Sequence, residues 1–221
     1  MESLSPSEEN YLKGIHHLSE FVEGPVTTNS LSDHLKIKPA SATDMIRKFA
    51  EKGLVEYEKY KGVVLTDKGR KLSLEIIRRQ RLWNVFLVDK LKFSWNEITE
   101  VSDQLKHIAS TQLISRLDQY LGYPRLDPTG EPIPDNEGNQ QAVNTKLLKD
   151  FDQGNSGILV SISSISQEFA KYLDKTGITI GSKIRVIDKI DFDQSMEIQV
   201  DERKFLTVSR EAAENLVMTE L

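Results

Sequence analysis

The sequence predicts a mainly α chain with α+β parts: an N-terminal winged helix-turn-helix, a helical middle that self-associates, and a small C-terminal β-barrel. Three observations carry this. Residues 36–72 read as a helix with one polar face followed by a basic hairpin. Residues 66–121 carry apolar side chains at helical spacing in three successive segments. Beyond about residue 142 the pattern changes to short alternating or apolar runs punctuated by Gly177, Gly181 and Asp193. The expected domains are therefore 1–73, 74–141 and 142–221.

At 221 residues the chain has room for more than one core. A hydrophobic content of 38% with 29% charged residues is that of an ordinary soluble protein. No apolar run approaches a membrane span, and MESLSPSEEN is acidic and polar rather than signal-like. With no cysteine, disulfides, thiolate metal sites and cysteine nucleophiles are excluded. A cytoplasmic location, with no membrane partner, fits these features.

In chain order, Ser5 and Glu8 form a capping box with Pro6 at the first helical position, and Leu12, Ile15, Leu18 and Val22 make the buried stripe up to Gly24-Pro25. His16 and His17 are adjacent and point roughly 100° apart on a helix, so they cannot share one metal and read as partly buried structural residues. Thr28 is placed to cap a second helix, with Leu31 and Leu35 inward, and 36–38 is a tight turn. Pro39 opens the third helix, in which Ala42, Met45, Ile46 and Phe49 face inward and Ser41, Thr43, Asp44, Arg47 and Lys48 face out. Gly53 ends it. Val55 and Tyr57 alternate with charged residues, Lys61-Gly62 turns, and 63–65 returns. From 36 to 71 there are ten Lys/Arg against five Asp/Glu, a local +5 in a chain whose total is −5. A basic patch on an acidic protein is an electrostatic footprint for phosphate.

Thr66 caps a long helix running to about residue 92, roughly 40 Å at 1.5 Å per residue and longer than a DNA-reading unit needs. Ser94 with Glu97 is a second capping box, and Ser110 caps a third helix closed by Gly122. Three amphipathic helices with Trp83, Phe86 and Trp95 form too little core for a separate monomer, so a homodimer is expected. Residues 122–139 hold four prolines and three glycines and read as a loop. Strands are expected at 157–163, 183–190, 196–200 and 205–208, with helices at 166–175 and 210–216.

The chain resembles the diphtheria toxin repressor and manganese transport regulator family over nearly its whole length. The matching pieces are Glu9-Asn10-Tyr11-Leu12, the winged stretch LVEYEKYKGVVLTDKG at 54–69, RQRLWNVF at 79–86 and Gly130-Glu131-Pro132-Ile133-Pro134. ITIGSKIRV at 178–186 resembles the SH3-like domain that ends many members. The resemblance implies a homodimeric, divalent-metal-activated regulator, usually a repressor of metal-uptake genes, that binds palindromic double-stranded DNA. It places Lys38, Ala40, Ser41, Thr43, Asp44, Arg47 and Lys48 on the recognition helix, and Tyr57, Lys59, Tyr60 and Lys61 on the wing. Short polar side chains suit base edges, and the basic ones suit phosphates.

The family's metal pattern does not carry over. Where the long helix reads Lys-His-Arg-Leu-x-Glu in the family, this chain has Arg79-Gln80-Arg81-Leu82-Trp83-Asn84. Thr99 stands where His is frequent, Lys106-His107 replaces Glu-His, and Asp127-Pro128-Thr129-Gly130 replaces Asp-Pro-His-Gly. The remnant positions are Asn10, Gln80, Asp103, Lys106, His107 and Asp127. Neutral amide oxygens are weak transition-metal ligands, and an ammonium opposes a cation outright. Asp103, Lys106 and His107 share one helix face at i, i+3 and i+4, so the expectation is a former metal site rebuilt around a salt bridge, against an ordinary solvated helix face. Weakened or lost metal control follows, with no cofactor required.

The rival is a true Mn or Fe sensor of metal-uptake genes using a non-standard set such as Asp103, His107, Asp127 and Glu168. An enzyme is not expected, because the histidines at 16, 17, 34 and 107 have no evident serine or carboxylate constellation. A protein-interaction module that no longer reads DNA conflicts with the lysine-rich wing.

Overall fold

The computed structural model describes residues 4–93, 95–140, 144–163 and 166–220. The chain divides into two compact units, Met1–Tyr123 with Ile133–Gln140, and Pro124–Pro132 with Gln141–Leu221.

The first unit begins with α1 (Pro6–Ser19), where the Ser5 hydroxyl accepts from the Glu8 N–H and the Glu8 carboxylate accepts from the Ser5 N–H at 2.8 Å. The helix stops at Ser19, short of Gly24-Pro25; the Ser19 hydroxyl donates to the His16 carbonyl at 2.6 Å. Thr27, not Thr28, caps α2 (Thr28–Leu35) by accepting from the Ser30 N–H at 3.0 Å. Lys36 takes a left-handed conformation (φ 54°), which turns the chain into α3 (Pro39–Glu51) with Pro39 in its first turn. Strands β1 (Val55–Glu58) and β2 (Gly62–Leu65) pair antiparallel from Val55↔Leu65 to Glu58↔Gly62, and Val26 adds a bridge to Val63. Leu12, Ile15, Leu31, Ala42, Ile46 and Phe49 are fully enclosed in this head.

From Thr66, whose hydroxyl accepts from the Gly69 N–H at 3.1 Å, α4 (Asp67–Asp89) runs for 23 residues. Gly69 is required: a Cβ there would lie 1.9 Å from the Leu54 carbonyl oxygen, so no side chain fits between the wing and the first turn of α4. Ile76 of α4 belongs to the head's core, whereas Leu82, Trp83 and Val85 further along pack with Ile114, Leu117 and Ile133. The helix thus serves both cores, and burying each such side chain stabilises by about 1.5–3 kcal/mol. The remaining helices are α5 (Trp95–Leu105) and α6 (Thr111–Tyr120), the latter capped by Ser110. The capping box read at Ser94 lies outside the described residues. Arg78 of α4, itself buried, donates to Asp118 of α6 at 2.7 Å and to the Pro134 carbonyl at 2.6 Å, satisfying a loop that no regular element supports.

The second unit is an antiparallel sheet in the order β3-β8-β4-β5-β6-β7, comprising β3 (Thr145–Leu147), β4 (Ser156–Ile162), β5 (Lys183–Ile190), β6 (Ser195–Val200), β7 (Lys204–Val208) and β8 (Leu216–Glu220). With it go α7 (Gln167–Thr176) and the single turn α8 (Arg210–Ala213). Phe151, Leu159, Val186, Ile198, Val208 and Met218 form its core. Two elements differ from the sequence expectation: β3 is additional, and the helix read over 210–216 is one turn followed by β8. Leu216 and Met218 point inward with period two, a pattern that a short apolar run does not distinguish from a helix end. Among the described residues no helix is long and apolar enough to cross a membrane.

Candidate nucleic-acid interface and the polar network beside it

The apolar stripe of α3, Ala42, Ile46 and Phe49, is buried, and this leaves Ala40, Ser41, Asp44, Arg47 and Lys48 exposed, with Lys38 exposed just before the helix. Asp44 and Arg47 lie 3.9 Å apart and mostly in solvent, so the acid on this face is partly neutralised by its neighbour. Thr43 is half-buried and its hydroxyl donates to the Pro39 carbonyl at 3.0 Å. Lys48 and Lys52 both reach the buried carboxylate of Glu8, at 3.2 and 2.7 Å. Burial alone would raise that carboxyl; Lys52, the Ser5 N–H and Lys48 outweigh it and hold the pKa at about 2. The end of α3 is thereby pinned to the start of α1. On the wing, Tyr60 is 93% exposed at φ 71°, Lys59 lies 4.9 Å over its ring, and Lys61 pairs with Glu58 at 2.7 Å. Tyr57, by contrast, is half-buried against the head's core.

A second set of polar groups joins α1, α4 and the end of α5. Glu9 of α1 accepts from the Arg79 guanidinium, and its other oxygen lies 2.5 Å from His107 Nδ1. Arg79 Nε also donates to the Lys106 carbonyl at 2.7 Å, so one guanidinium ties α1 to the end of α5. Next to it on α4, Gln80 accepts from Lys13 of α1 and donates to Asp103 of α5 at 3.4 Å. Asp103 in turn takes the ammonium of Lys106, a side chain only 2% exposed. Arg79 and Lys106 therefore meet the carboxylates of Glu9 and Asp103, while Lys13 meets the Gln80 amide oxygen. Asn10 is half-buried, and its Oδ1 has no hydrogen-bond partner among the described residues.

Of the remnant positions read from sequence, Gln80, Asp103 and Lys106 are joined in one chain of contacts, and His107 is joined to Glu9. Asp127 belongs to the second unit, where it accepts from the Thr129 N–H and hydroxyl and from the Glu131 N–H. Glu168 also lies in that unit, exposed in the first turn of α7. Among the described residues no three His, Asp or Glu gather to hold a metal ion. Sequence reasoning missed Glu9, Lys13 and Arg79. Glu9 and Lys13 are four apart on one face of α1, and Arg79 neighbours Gln80, so the signal was local charge spacing whose partners lie far along the chain.

His16 is 4% exposed, with Nδ1 3.1 Å from the Ser73 hydroxyl. Burial, with Arg70, Arg81 and His17 adding to it, pushes its pKa down to about 4, so it is neutral at pH 7. His17 is exposed and stacks on His34 at 5.1 Å, unlike the partly buried pair read from sequence.

Comparison with known proteins agrees with this architecture segment by segment. Residues 3–63 match the iron dependent repressor N-terminal DNA binding domain, 66–135 the iron dependent repressor metal binding and dimerisation domain, and 146–219 the FeoA domain. The HTH-type transcriptional regulator MntR of Bacillus subtilis is 31% identical over 118 residues, covering 47% of this chain and 82% of the relative. The iron-dependent repressor IdeR of Mycobacterium tuberculosis is 28% identical over 134 residues, covering 61% of this chain and 58% of the relative. A solved manganese-dependent transcriptional repressor in complex with manganese superimposes with a TM-score of 0.64 at 30% identity, over 97% of this chain and all of that one. The chain belongs to the iron-dependent repressor family, a family of DNA-binding transcription regulators rather than enzymes.

Proposed function

We propose that this member of the iron-dependent repressor family is a homodimeric, cytoplasmic transcription regulator whose DNA-binding arrangement is held by side-chain cations and not by a divalent metal. The domains are those at 1–73, 74–141 and 142–221. In this reading Ser41 and Thr43 meet base edges in a palindromic operator, while Lys38, Arg47, Lys48, Lys59 and Lys61 meet phosphates. Lys48 can leave Glu8 for DNA without orphaning it, because Lys52 stays. Leu91, Ile108, Leu113 and Tyr120 expose the apolar surface that a second copy would cover.

The observation that carries the metal part is the pair of lysines in the network. A divalent ion at Asp103 would have to displace the buried Lys106 ammonium, and the Gln80 oxygen is already taken by Lys13. The residues present do not fit a transition metal: the carboxylates are committed to Lys106, Arg79 and His107, and the remaining donors are amides. The network instead joins head to dimer helices permanently. The alternative, a Mn or Fe sensor using Asp103, His107, Asp127 and Glu168, is favoured by the names of the relatives, but Asp103 is bonded to Lys106 and His107 to Glu9.

The test is DNA binding measured in chelator and in saturating Mn or Fe. The expected change is less than about threefold, under 1 kcal/mol. Lys106→Glu should raise metal affinity and introduce metal dependence. Strong activation of the unaltered protein would restore the ordinary sensor.

A further inference from the structure

Besides the network, the first unit holds a cavity of about 460 Å³, within the size range of small-molecule sites. Its apolar wall is Leu4, Leu72, Ile76 and Ile114, and its polar groups include Glu75 and Asp135. The two arginines that border it have charge partners, Arg78 bonding Asp118 and the Pro134 carbonyl through its terminal nitrogens and Arg79 bonding Glu9 and the Lys106 carbonyl, while the buried Arg78 Nε has no partner among the described residues. The acids are not neutralised in the same way. Glu75 is half-buried and has no hydrogen bond or ion pair to any described residue. Asp135 accepts only neutral donors; the N–H and side chain of Asn139, with the Glu137 N–H, hold its carboxyl below the usual range, so it is ionised at pH 7. The carboxylates on the lining without a cationic partner are therefore Glu75, half-buried, and Asp135, exposed at the rim.

We propose that this cavity is a binding site for a small organic cation: a primary amine or guanidine with an apolar body, its charge between Glu75 and Asp135 and its body on Leu72, Ile76 and Ile114. A carboxylate half removed from water gains most from a donor that is itself charged, and aliphatic amines are protonated at pH 7. The apolar wall would select a ligand with hydrocarbon over a bare ammonium or a hydrated metal ion. Glu9 and Arg79 belong both to the cavity wall and to the network between head and dimer helices, so an occupant touches the groups that position the head. Its consequence for DNA affinity rests on the regulator reading above; its binding does not.

The experiment is calorimetry on the full chain without DNA, using phenethylamine and agmatine as probes and 3-phenylpropionate as the oppositely charged control. Saturable amine binding with Kd below about 1 mM is expected, and no binding of the carboxylate. Glu75→Gln should weaken the amine about tenfold, the difference a charge-assisted hydrogen bond makes. Ser115→Trp, at an exposed position on the rim, should block the cavity and abolish binding while leaving the fold intact by circular dichroism. No saturable amine binding, equal binding in both variants, or preference for the carboxylate would overturn the site. A chain that binds amine but no DNA keeps the site and refutes the regulator; one that binds DNA but no amine does the reverse.

Discussion

The exposed face of α3 with the wing and the network between α1, α4 and α5 are built from the same residue types, and burial makes them opposite in behaviour. On the first, Asp44–Arg47 and Lys61–Glu58 are ion pairs between side chains that remain largely in water. Such pairs contribute about 0–1 kcal/mol and open readily, which leaves their charges available to phosphate. In the second, Glu9, Arg79 and Lys106 are largely withdrawn from solvent, and removing a carboxylate there leaves a buried cation without its counter-charge. The first surface can exchange partners. The second holds its partners in place.

The largest expected effect is therefore in the network. Glu9→Ala removes the one acid that Arg79 and His107 share, and stranding a buried charge costs about 3–5 kcal/mol. Urea unfolding should show it as a lower midpoint with an unchanged slope. A loss below about 1 kcal/mol would mean the network is as dispensable as the surface pairs.

A somewhat smaller effect separates the regions by pH. His16 titrates at about 4 in the fold against 6.5 when free, so the unfolded chain binds its proton first. Its contribution is complete above pH 6.5 and is lost as pH falls toward 4, on the order of 3 kcal/mol in all. Glu8, depressed from 4.5 to about 2, acts in the next window down: its contribution is complete above 4.5 and disappears toward pH 2. Stability measured from pH 7 to 4 should fall in the unaltered chain and fall less in His16→Gln. Equal slopes would remove His16 as the cause.

The smallest effect on stability belongs to the wing. Lys59→Ala with Lys61→Ala should change unfolding free energy by less than about 0.5 kcal/mol. In DNA binding the same pair should weaken all sequences alike and flatten the salt slope by roughly one for each phosphate no longer neutralised. Ser41 and Thr43 variants should instead alter which sequence is preferred. If the wing lysines set preference and the α3 residues do not, the docking is wrong.

Local chemistry was legible wherever one residue type had one use. Ser5 with Glu8, Pro39, Thr66 and Ser110 mark helix starts through chemistry confined to the first turn, and the structure has all four. Thr27 and Thr28 are chemically equivalent caps, so neighbouring threonines left the start of α2 uncertain by one residue. The helix read into Leu216 failed because an apolar run of that length satisfies either period.

The sequence by itself determined the order of elements, the basic helix and hairpin, the absence of cysteine, and the presence of two amides and an ammonium at Gln80, Asn84 and Lys106. Those are properties of residue identity and short spacing. Only the tertiary structure decided which charged side chains pair between α1, α4 and α5. Lys13 reaches Gln80 from 67 positions away, and Arg79 and His107 converge on Glu9 across 70 and 98. Charge complementarity alone permits many such pairings among 29 basic and 34 acidic side chains. The packing of α4 against α1 and α5 brings these particular groups within hydrogen-bonding distance, and desolvation then makes the chosen pairs costly to break.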